Sequence, residues 1–272
     1  MTYKLIATDM DGTALTDDKR LSPRTIAAMD KAIEQGKYVV FSTGRSISLI
    51  RPYIDMIKGM RYAITASGGT VIDLETGKFL LHRMIDAETS KRIIAASNGC
   101  YVYPILFYEN ETYGSGWCVD NLEDFGLPAY AEIYRSYMNV VDDSMNYFME
   151  HPAELEKFNL FFGNDYEADE VFEKIKNLPV TFTTHNSRSL EINAVGVNKA
   201  EGLRLLCERL GIDMSEVIAV GDAENDEEMI ACAGLKVAMA NGSDRVKALA
   251  DVIADTNEND GVAKIIEQYL LD

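Results

Sequence analysis

Both ends of the chain alternate short, β-branched apolar runs with amphipathic stretches, and this rhythm restricts the fold more than any other feature. "KLIATD" reads as a strand, and "SPRTIAAMDKAIEQG" as a helix with Ser22 as N-cap, Pro23 at its first position and Gly36 closing it. "YVVFSTG" is a second strand, "SISLIRPYIDMIKG" a second helix despite Pro52, and "YAITASGG" a third strand. The order β-α-β-α-β predicts a parallel sheet with helices on its faces. The rhythm returns in "NKAEGLRLLCERLG", a helix ended by Gly211, then "VIAVGD", "ENDEEMIACAG", "LKVAMANG", "SDRVKALA" and "GVAKIIEQYLL". The stretch between, from Met84 to Leu190, holds 18 of the 25 aromatic residues and strand-like runs such as "YVYPILFY" and "KFNLFFG". The expected organisation is α/β: a parallel-sheet core from residues 1–83 and 191–272, interrupted by an α+β insertion at 84–190. An insertion of this kind needs termini that lie close together. The hinges are expected near "LLHRMID" and "LEINAVG".

Composition narrows the function. With 272 residues, 47% of them hydrophobic, the chain can bury a core of one large domain or two. A formal net charge of −18 disfavours nucleic acid, whose phosphates are neutralised by Lys and Arg. A phosphate-bearing ligand would need local cationic help. Cys100, Cys118, Cys207 and Cys232 lie far apart with no C-x-x-C pair, which suggests reduced, packed thiols. No charged, apolar and cleavable leader opens the chain, and no run approaches the roughly 20 apolar residues of a membrane span. The expectation is a cytoplasmic protein, monomer or homodimer, with neither membrane nor nucleic-acid partners. The sequons at Asn110 and Asn241 would matter only in a secreted chain.

In an open parallel sheet, ligands bind beyond the carboxyl ends of the strands at a switch in strand order. Three predicted strands end there in polar residues: Asp9 after "IAT", Thr43, Gly44 and Arg45 after "VVFS", and Asp222 after "IAVG". Lys199 opens the helix leading back into the sheet. Asp9, Asp11, Asp222 and Asp226 would repel one another without a cation, and an all-oxygen set suits Mg²⁺. The three histidines, His82, His151 and His185, lie away from these strand ends. Magnesium beside a carboxylate suggests phosphoryl transfer. One aspartate can accept the phosphoryl group, a second can protonate the leaving alkoxide and later deprotonate water, and a lysine with a hydroxyl and backbone N–H groups can stabilise the charge. Gly12 leaves room for the backbone to turn closely around a phosphate.

These residues resemble a known family. "DMDGT", "STGR", Lys199 and "GDAENDEEM" look like the four motifs of the haloacid dehalogenase-like superfamily. The finer series "TGR", "GVNKAEGL", "GDAENDEEM", "AMANG" and "NENDGVA" is similar to its Cof-type phosphatases. The resemblance covers both core segments and implies a Rossmann-like core with an inserted C2-type cap that excludes water and selects the leaving group. It implies Asp9 as nucleophile and metal ligand, and Asp11 as general acid and base and a ligand through its carbonyl. By the same resemblance Thr43 donates to the phosphate, Lys199 neutralises charge and Asp222 holds Mg²⁺, with Asn225 and Asp226 completing or supporting the metal shell. Gly12, Gly44, Arg45, Gly68 and Asn225 are the positions it puts toward the substrate, and Asn241 and Asn257 border the site. Ser67 departs from the family, which often has Asn there.

The residues leave alternatives open. Asp9 and Asp11 alone fit a turn after a strand, and Asp222 and Asp226 fit a helix cap. Arg45 fits either a phosphate or a nearby acid. In the insertion, the aromatics fit a packed core or a stacking surface, and His185, Asn186 and Arg188 fit a solvated loop or a substrate contact. An EF-hand, a P-loop and a dinucleotide fingerprint are all absent from the sequence. The expected activity is hydrolysis of small phosphorylated metabolites, sugar phosphates first and cofactors such as flavin mononucleotide or pyridoxal phosphate next, through an aspartyl-phosphate. A sugar phosphomutase and a non-catalytic phosphometabolite-binding regulator are the rivals. A dehalogenase is disfavoured, since Asp11 would have no acid to deliver.

Overall fold

The computed structural model describes residues 2–183 and 187–271. The chain divides into two compact units: Met1–Arg45, Ile50–His82 and Asn198–Asp272 form the first, Ser46–Leu49 and Arg83–Val197 the second.

In the first unit, strands β1 (Leu5–Thr8), β2 (Tyr38–Ser42), β3 (Tyr62–Thr65), β4 (Thr70–Asp73) and β5 (Lys78–His82) come from the N-terminal segment. The second unit contributes β6 (Val102–Tyr108), β7 (Glu111–Ser115), β8 (Asn139–Val141), β9 (Lys157–Phe162), β10 (Val180–Thr183) and β11 (Ser189–Ala194). The chain then returns to the first unit with β12 (Val217–Gly221), β13 (Leu235–Met239) and β14 (Val252–Ala254).

The first sheet runs β14-β13-β12-β1-β2-β3-β4-β5. Its strands from β14 to β3 are parallel, and the β4–β5 hairpin adds an antiparallel edge. Leu5 and Ala7 of β1 share a buried cluster with Leu203, Leu206, Met229 and Ile230 from the helices Lys199–Leu210 and Glu227–Cys232. Ile6, on the opposite face by strand alternation, is also fully buried, as expected of a parallel strand covered on both sides. The N-terminal helix begins as its sequence predicts: Ser22 accepts from the Thr25 N–H, Pro23 opens the helix Pro23–Glu34, and Gly36 follows at φ +78°.

The second sheet runs β10-β11-β9-β6-β7-β8 and is antiparallel except where β7 meets β8. One face packs on the helices Ala87–Ala96, Ser144–Glu150 and Asp165–Ile175 through Ile93, Phe148, Val171, Leu106, Phe158 and Ile192. The expected division after Leu190 falls within β11, which is hydrogen-bonded to β9 and β10 along its length. Dividing a strand from its partners would strand its backbone N–H and C=O groups, so the second unit extends to Val197. Among the described residues no helix is long and apolar enough to cross a membrane.

Candidate active site

β12, β1 and β2 are neighbouring parallel strands, with Thr8 level with both Val220 and Phe41. Asp9, Thr43 and Asp222 therefore leave the same edge of the sheet within about one residue of each other in height. This is also where strand order reverses, since the chain moves outward through β2 and β3 and later outward the other way through β13 and β14. The Asp9 N–H donates to the Val220 carbonyl at 3.0 Å, which carries the ladder one residue past β1 and fixes the aspartate's position.

Lys199 is the first residue of its helix, whose N-cap Asn198 accepts from the Glu201 N–H. Its side chain is 1% exposed, and Nζ donates to Asp9 Oδ1 at 2.6 Å and to Asp226 Oδ1 at 2.7 Å. The other oxygen of Asp226 accepts from the N–H groups of Asp222 and Ala223 at 3.0 and 3.2 Å. Asp222 Oδ1 accepts from Thr13 Oγ1 at 2.6 Å. Two glycines permit this closeness. Gly12 has φ +77°, and a Cβ there would lie 2.4 Å from Asp222 Oδ2; Gly68, at φ +100°, would place one 2.0 Å from the Asn198 carbonyl oxygen. Gly68 thus lets the loop after β3 rest on the backbone that carries Lys199.

One ammonium faces three carboxylates in this cluster. Burial is the largest influence on Asp9 and raises its pKa well above the ordinary carboxylate value; Asp226 and Asp222 push the same way, against the opposing pull of Lys199. Burial likewise raises Asp222 to about 6, against the Thr13 hydrogen bond and with the help of Asp226. Burial opposes the charged form of Lys199, but Asp226 and Asp9 outweigh it and hold the lysine protonated well above its usual range. Oxygens of Asp9, Asp222 and Asp226 lie within 4.8 Å of one another, and Asn225 Oδ1 is buried with no hydrogen-bond partner among the described residues. An oxygen-only donor set with negative charge in excess fits a hard dication such as Mg²⁺.

Asp11 is turned away from that cluster. Arg45 holds it in a two-pronged pair, Nε to Oδ2 at 2.7 Å and Nη2 to Oδ1 at 2.8 Å, and Lys19 Nζ adds a contact at 2.9 Å. Burial would raise the pKa of Asp11, but the Arg45 charge and hydrogen bonds, followed by Lys19, hold it well below the usual carboxylate range. Of the two readings open for Arg45, the structure shows the pair with an acid. Tyr53 braces both cations: its ring lies 5.4 Å from the Arg45 guanidinium, and its hydroxyl donates to the Lys19 carbonyl at 2.8 Å. Thr43 is buried, with Oγ1 accepting from the Arg45 N–H at 3.3 Å and its carbonyl accepting from the Ser67 N–H at 3.0 Å. Gly44, half-buried, lies between Thr43 and Arg45. Ser67 is buried at φ +57° in the turn after β3.

Asn241 and Asn257 fasten the loop after β1. Asn241 Nδ2 donates to the Gly12 carbonyl at 2.7 Å and its Oδ1 accepts from the Asn257 N–H; Asn257 Nδ2 donates to the Leu15 carbonyl and to Asp17 Oδ1. Thr13, Lys19 and Tyr53 were not singled out by the sequence. Thr13 could have been found from its place beside Gly12, whereas nothing in sequence spacing brings Lys19 or Tyr53 to Asp11. In the second unit Arg188 is exposed and donates to the Gly163 carbonyl at 3.4 Å, while His185 and Asn186 lie outside the described residues.

The family described as haloacid dehalogenase-like hydrolase matches residues 6–266. The chain is 33% identical over 271 residues to the 5-amino-6-(5-phospho-D-ribitylamino)uracil phosphatase YcsE of Bacillus subtilis, covering 98% of this chain and 96% of the relative. It is 31% identical to the Escherichia coli phosphatase YbjI, whose name carries the same substrate, with 99% and 97% covered. Among solved structures, a haloacid dehalogenase-like hydrolase from Bacteroides thetaiotaomicron superposes with a TM-score of 0.85 at 25% identity, covering 98% of this chain and 99% of that one.

Proposed function

The chain belongs to the haloacid dehalogenase-like hydrolases, as a phosphatase of the Cof type, and we propose that it hydrolyses small phosphorylated metabolites with Mg²⁺ through an aspartyl-phosphate. The observation that carries this reading is Asp9, set at the carboxyl edge of the sheet against Lys199 and gathered with Asp222 and Asp226.

Asp9 attacks phosphorus, a P–O bond forms to its carboxylate, and the bond to the substrate oxygen breaks. Asp11 gives its proton to the departing alkoxide, then takes one from the water that cleaves the aspartyl-phosphate, so the acid is regenerated and inorganic phosphate leaves. In the arrangement described, Arg45 and Lys19 keep Asp11 ionised, the state that serves the second half of the cycle. A phosphate arriving nearby competes for the same two cations, and the proton needed for the first half is favoured once their hold is shared. Lys199 keeps its charge beside Asp9, and Thr43 and the N–H groups around Gly44 and Gly12 are donors for phosphoryl oxygens. Asp9 and Asp222, with the Asp11 carbonyl, would hold Mg²⁺, supported by Asp226 and Asn225; the ion supplies Lewis-acid neutralisation of phosphoryl charge.

For substrate, the names of the curated relatives favour a phosphorylated ribityl compound alongside the sugar phosphates, with flavin mononucleotide and pyridoxal phosphate next. Phosphate release from a panel of these esters, with Mg²⁺ and with EDTA, tests the reading. Release from a subset, lost with EDTA, is the expected result. Folded protein that releases none with Mg²⁺ present, or releases equally with EDTA, contradicts it.

A further inference from the structure

Asp9 has unlike neighbours on its two sides, all within the first unit. In the strand order β12-β1-β2, Asp222 follows the strand on one side and Ser42 ends the strand on the other. Thr8 is level with Phe41, so the next residues, Asp9 and Ser42, stand side by side on strands about 4.8 Å apart. They also share a face. Leu5, Ala7 and Val40 belong to one buried cluster with Leu203 and Leu206 of the helix Lys199–Leu210. Alternation puts Asp9, two residues after Ala7, and Ser42, two after Val40, on that same face, from which Lys199 reaches Asp9 Oδ1 at 2.6 Å.

Ser42 is fully buried, and its Oγ has no hydrogen-bond partner among the described residues. An unpartnered buried hydroxyl is destabilising, and alanine would fit the same space without it. The hydroxyl therefore adds nothing to the arrangement described, while its neighbour Asp9 changes charge in the proposed cycle. Lys199 spends two of its three N–H groups on Asp9 and Asp226. When Asp9 becomes an acyl phosphate, its charge moves onto the phosphoryl oxygens and its remaining carbonyl oxygen is a weaker acceptor. Ser42 Oγ has two lone pairs and one proton, so it can then accept from the ammonium and donate to the acyl oxygen without adding charge.

We propose that Ser42 is a positioning residue for the second half of the cycle, its hydroxyl bonding the Lys199 and Asp9 pair while Asp9 carries the phosphoryl group. Water attacks phosphorus, the P–O bond to Asp9 breaks, the carboxylate returns and phosphate leaves; Ser42 gains and loses no atoms. The inference rests on the phosphatase reading above and adds a residue that acts after the leaving group has departed. The first half depends on it less, because a loose phosphoryl-transfer transition state has little bond to Asp9.

Ser42→Ala tests the assignment. At saturating ester and Mg²⁺, kcat is divided by the fraction of protein phosphorylated at Asp9, read after acid quench, which gives the rate constant for hydrolysis of the acyl phosphate. That constant should fall by about threefold to tenfold, the loss of one hydrogen bond, while kcat/KM stays within about twofold of wild type. The melting temperature of the metal-free protein should hold or rise. An unchanged hydrolysis constant overturns the assignment. So does a loss shared equally by kcat/KM, or a lowered melting temperature, either of which marks a structural role. If the wild-type protein releases phosphate from no ester, the phosphatase reading fails separately, and beryllium fluoride with Mg²⁺, a tetrahedral phosphoryl mimic, decides the role of Ser42. A melting temperature raised more in the wild type than in Ser42→Ala then supports it, and equal or absent shifts contradict it.

Discussion

Lys157 in the second unit and Lys199 in the first are both almost fully buried, in different carboxylate surroundings. Lys157 of the second unit meets Glu191 at 3.0 Å, ammonium against carboxylate. Lys199 of the first unit faces Asp9 and Asp226, with Asp222 beside them, and the charges do not cancel. A balanced buried pair can exist without further ions, although apolar residues of similar shape would often be as stable. In the unbalanced cluster, burial raises the pKa values of Asp9 and Asp222, and the neighbouring carboxylates push the same way. Excess buried charge at a strand edge is therefore the stronger sign of a metal-assisted reaction.

The comparison is most severely tested at Asp9. Asp9→Asn removes the nucleophile with little change of shape, and phosphate release should fall by ~10⁴-fold or more while circular dichroism is unchanged. Wild-type-like turnover would move the chemistry elsewhere. Lys199→Met should lower kcat by ~10²- to 10³-fold, because the transferring phosphoryl loses a preorganised positive charge; unchanged steady-state kinetics would remove Lys199 from the reaction. In the second unit, Lys157→Met should cost ~3–5 kcal/mol in denaturant unfolding by removing the ammonium beside the buried Glu191 carboxylate, and the double replacement Lys157→Met/Glu191→Leu should recover most of it. No recovery would show that the pair is not independent of its surroundings.

Smaller effects sharpen the same contrast. Gly12→Ala should destabilise by about 1–3 kcal/mol, since its Cβ meets Asp222 Oδ2 in a backbone conformation that disfavours a side chain. A melting temperature equal to wild type would refute that packing. The pH effect is smaller still. Asp222 keeps its proton in the folded state up to about 6, whereas the unfolded chain releases it near the ordinary carboxylate value of 3.8. The folded state then binds more protons between those values, so metal-free protein should lose stability as pH rises through this window, relative to Asp222→Asn. Thermal melts with EDTA across pH 4 to 7 read this difference, and parallel curves for the two proteins would oppose it.

Much of the first unit is legible because local signals and topology agree there. Ser22, Pro23 and Gly36 mark a helix, and short apolar runs ending in Asp9, Thr43 and Asp222 become parallel strands with a common edge. The β4–β5 hairpin is not legible: its short strands continue past the turn at Ser67 without the helix that the preceding rhythm leads one to expect. The grouping of Asp9, Lys199 and Asp222 follows from strand ends, but the partners of Asp11 do not. Lys19 reaches it from a turn with φ +59°, and Tyr53 from a helix, contacts that tertiary packing alone creates. In the second unit the aromatic content signals a core without saying which sheet face it fills, and the meeting of Lys157 on β9 with Glu191 on β11 emerges only once the register is known.

The most direct test of Asp9 as the phosphoryl acceptor is to mix the protein with a turned-over phosphate ester and Mg²⁺, quench in acid within one turnover, and map the phosphorylated peptide by mass spectrometry. A phosphoryl group on Asp9, absent with EDTA and absent from Asp9→Asn, is the predicted result. Release of phosphate with Asp9 unmodified throughout, or a phosphoryl group carried by another residue, would contradict it.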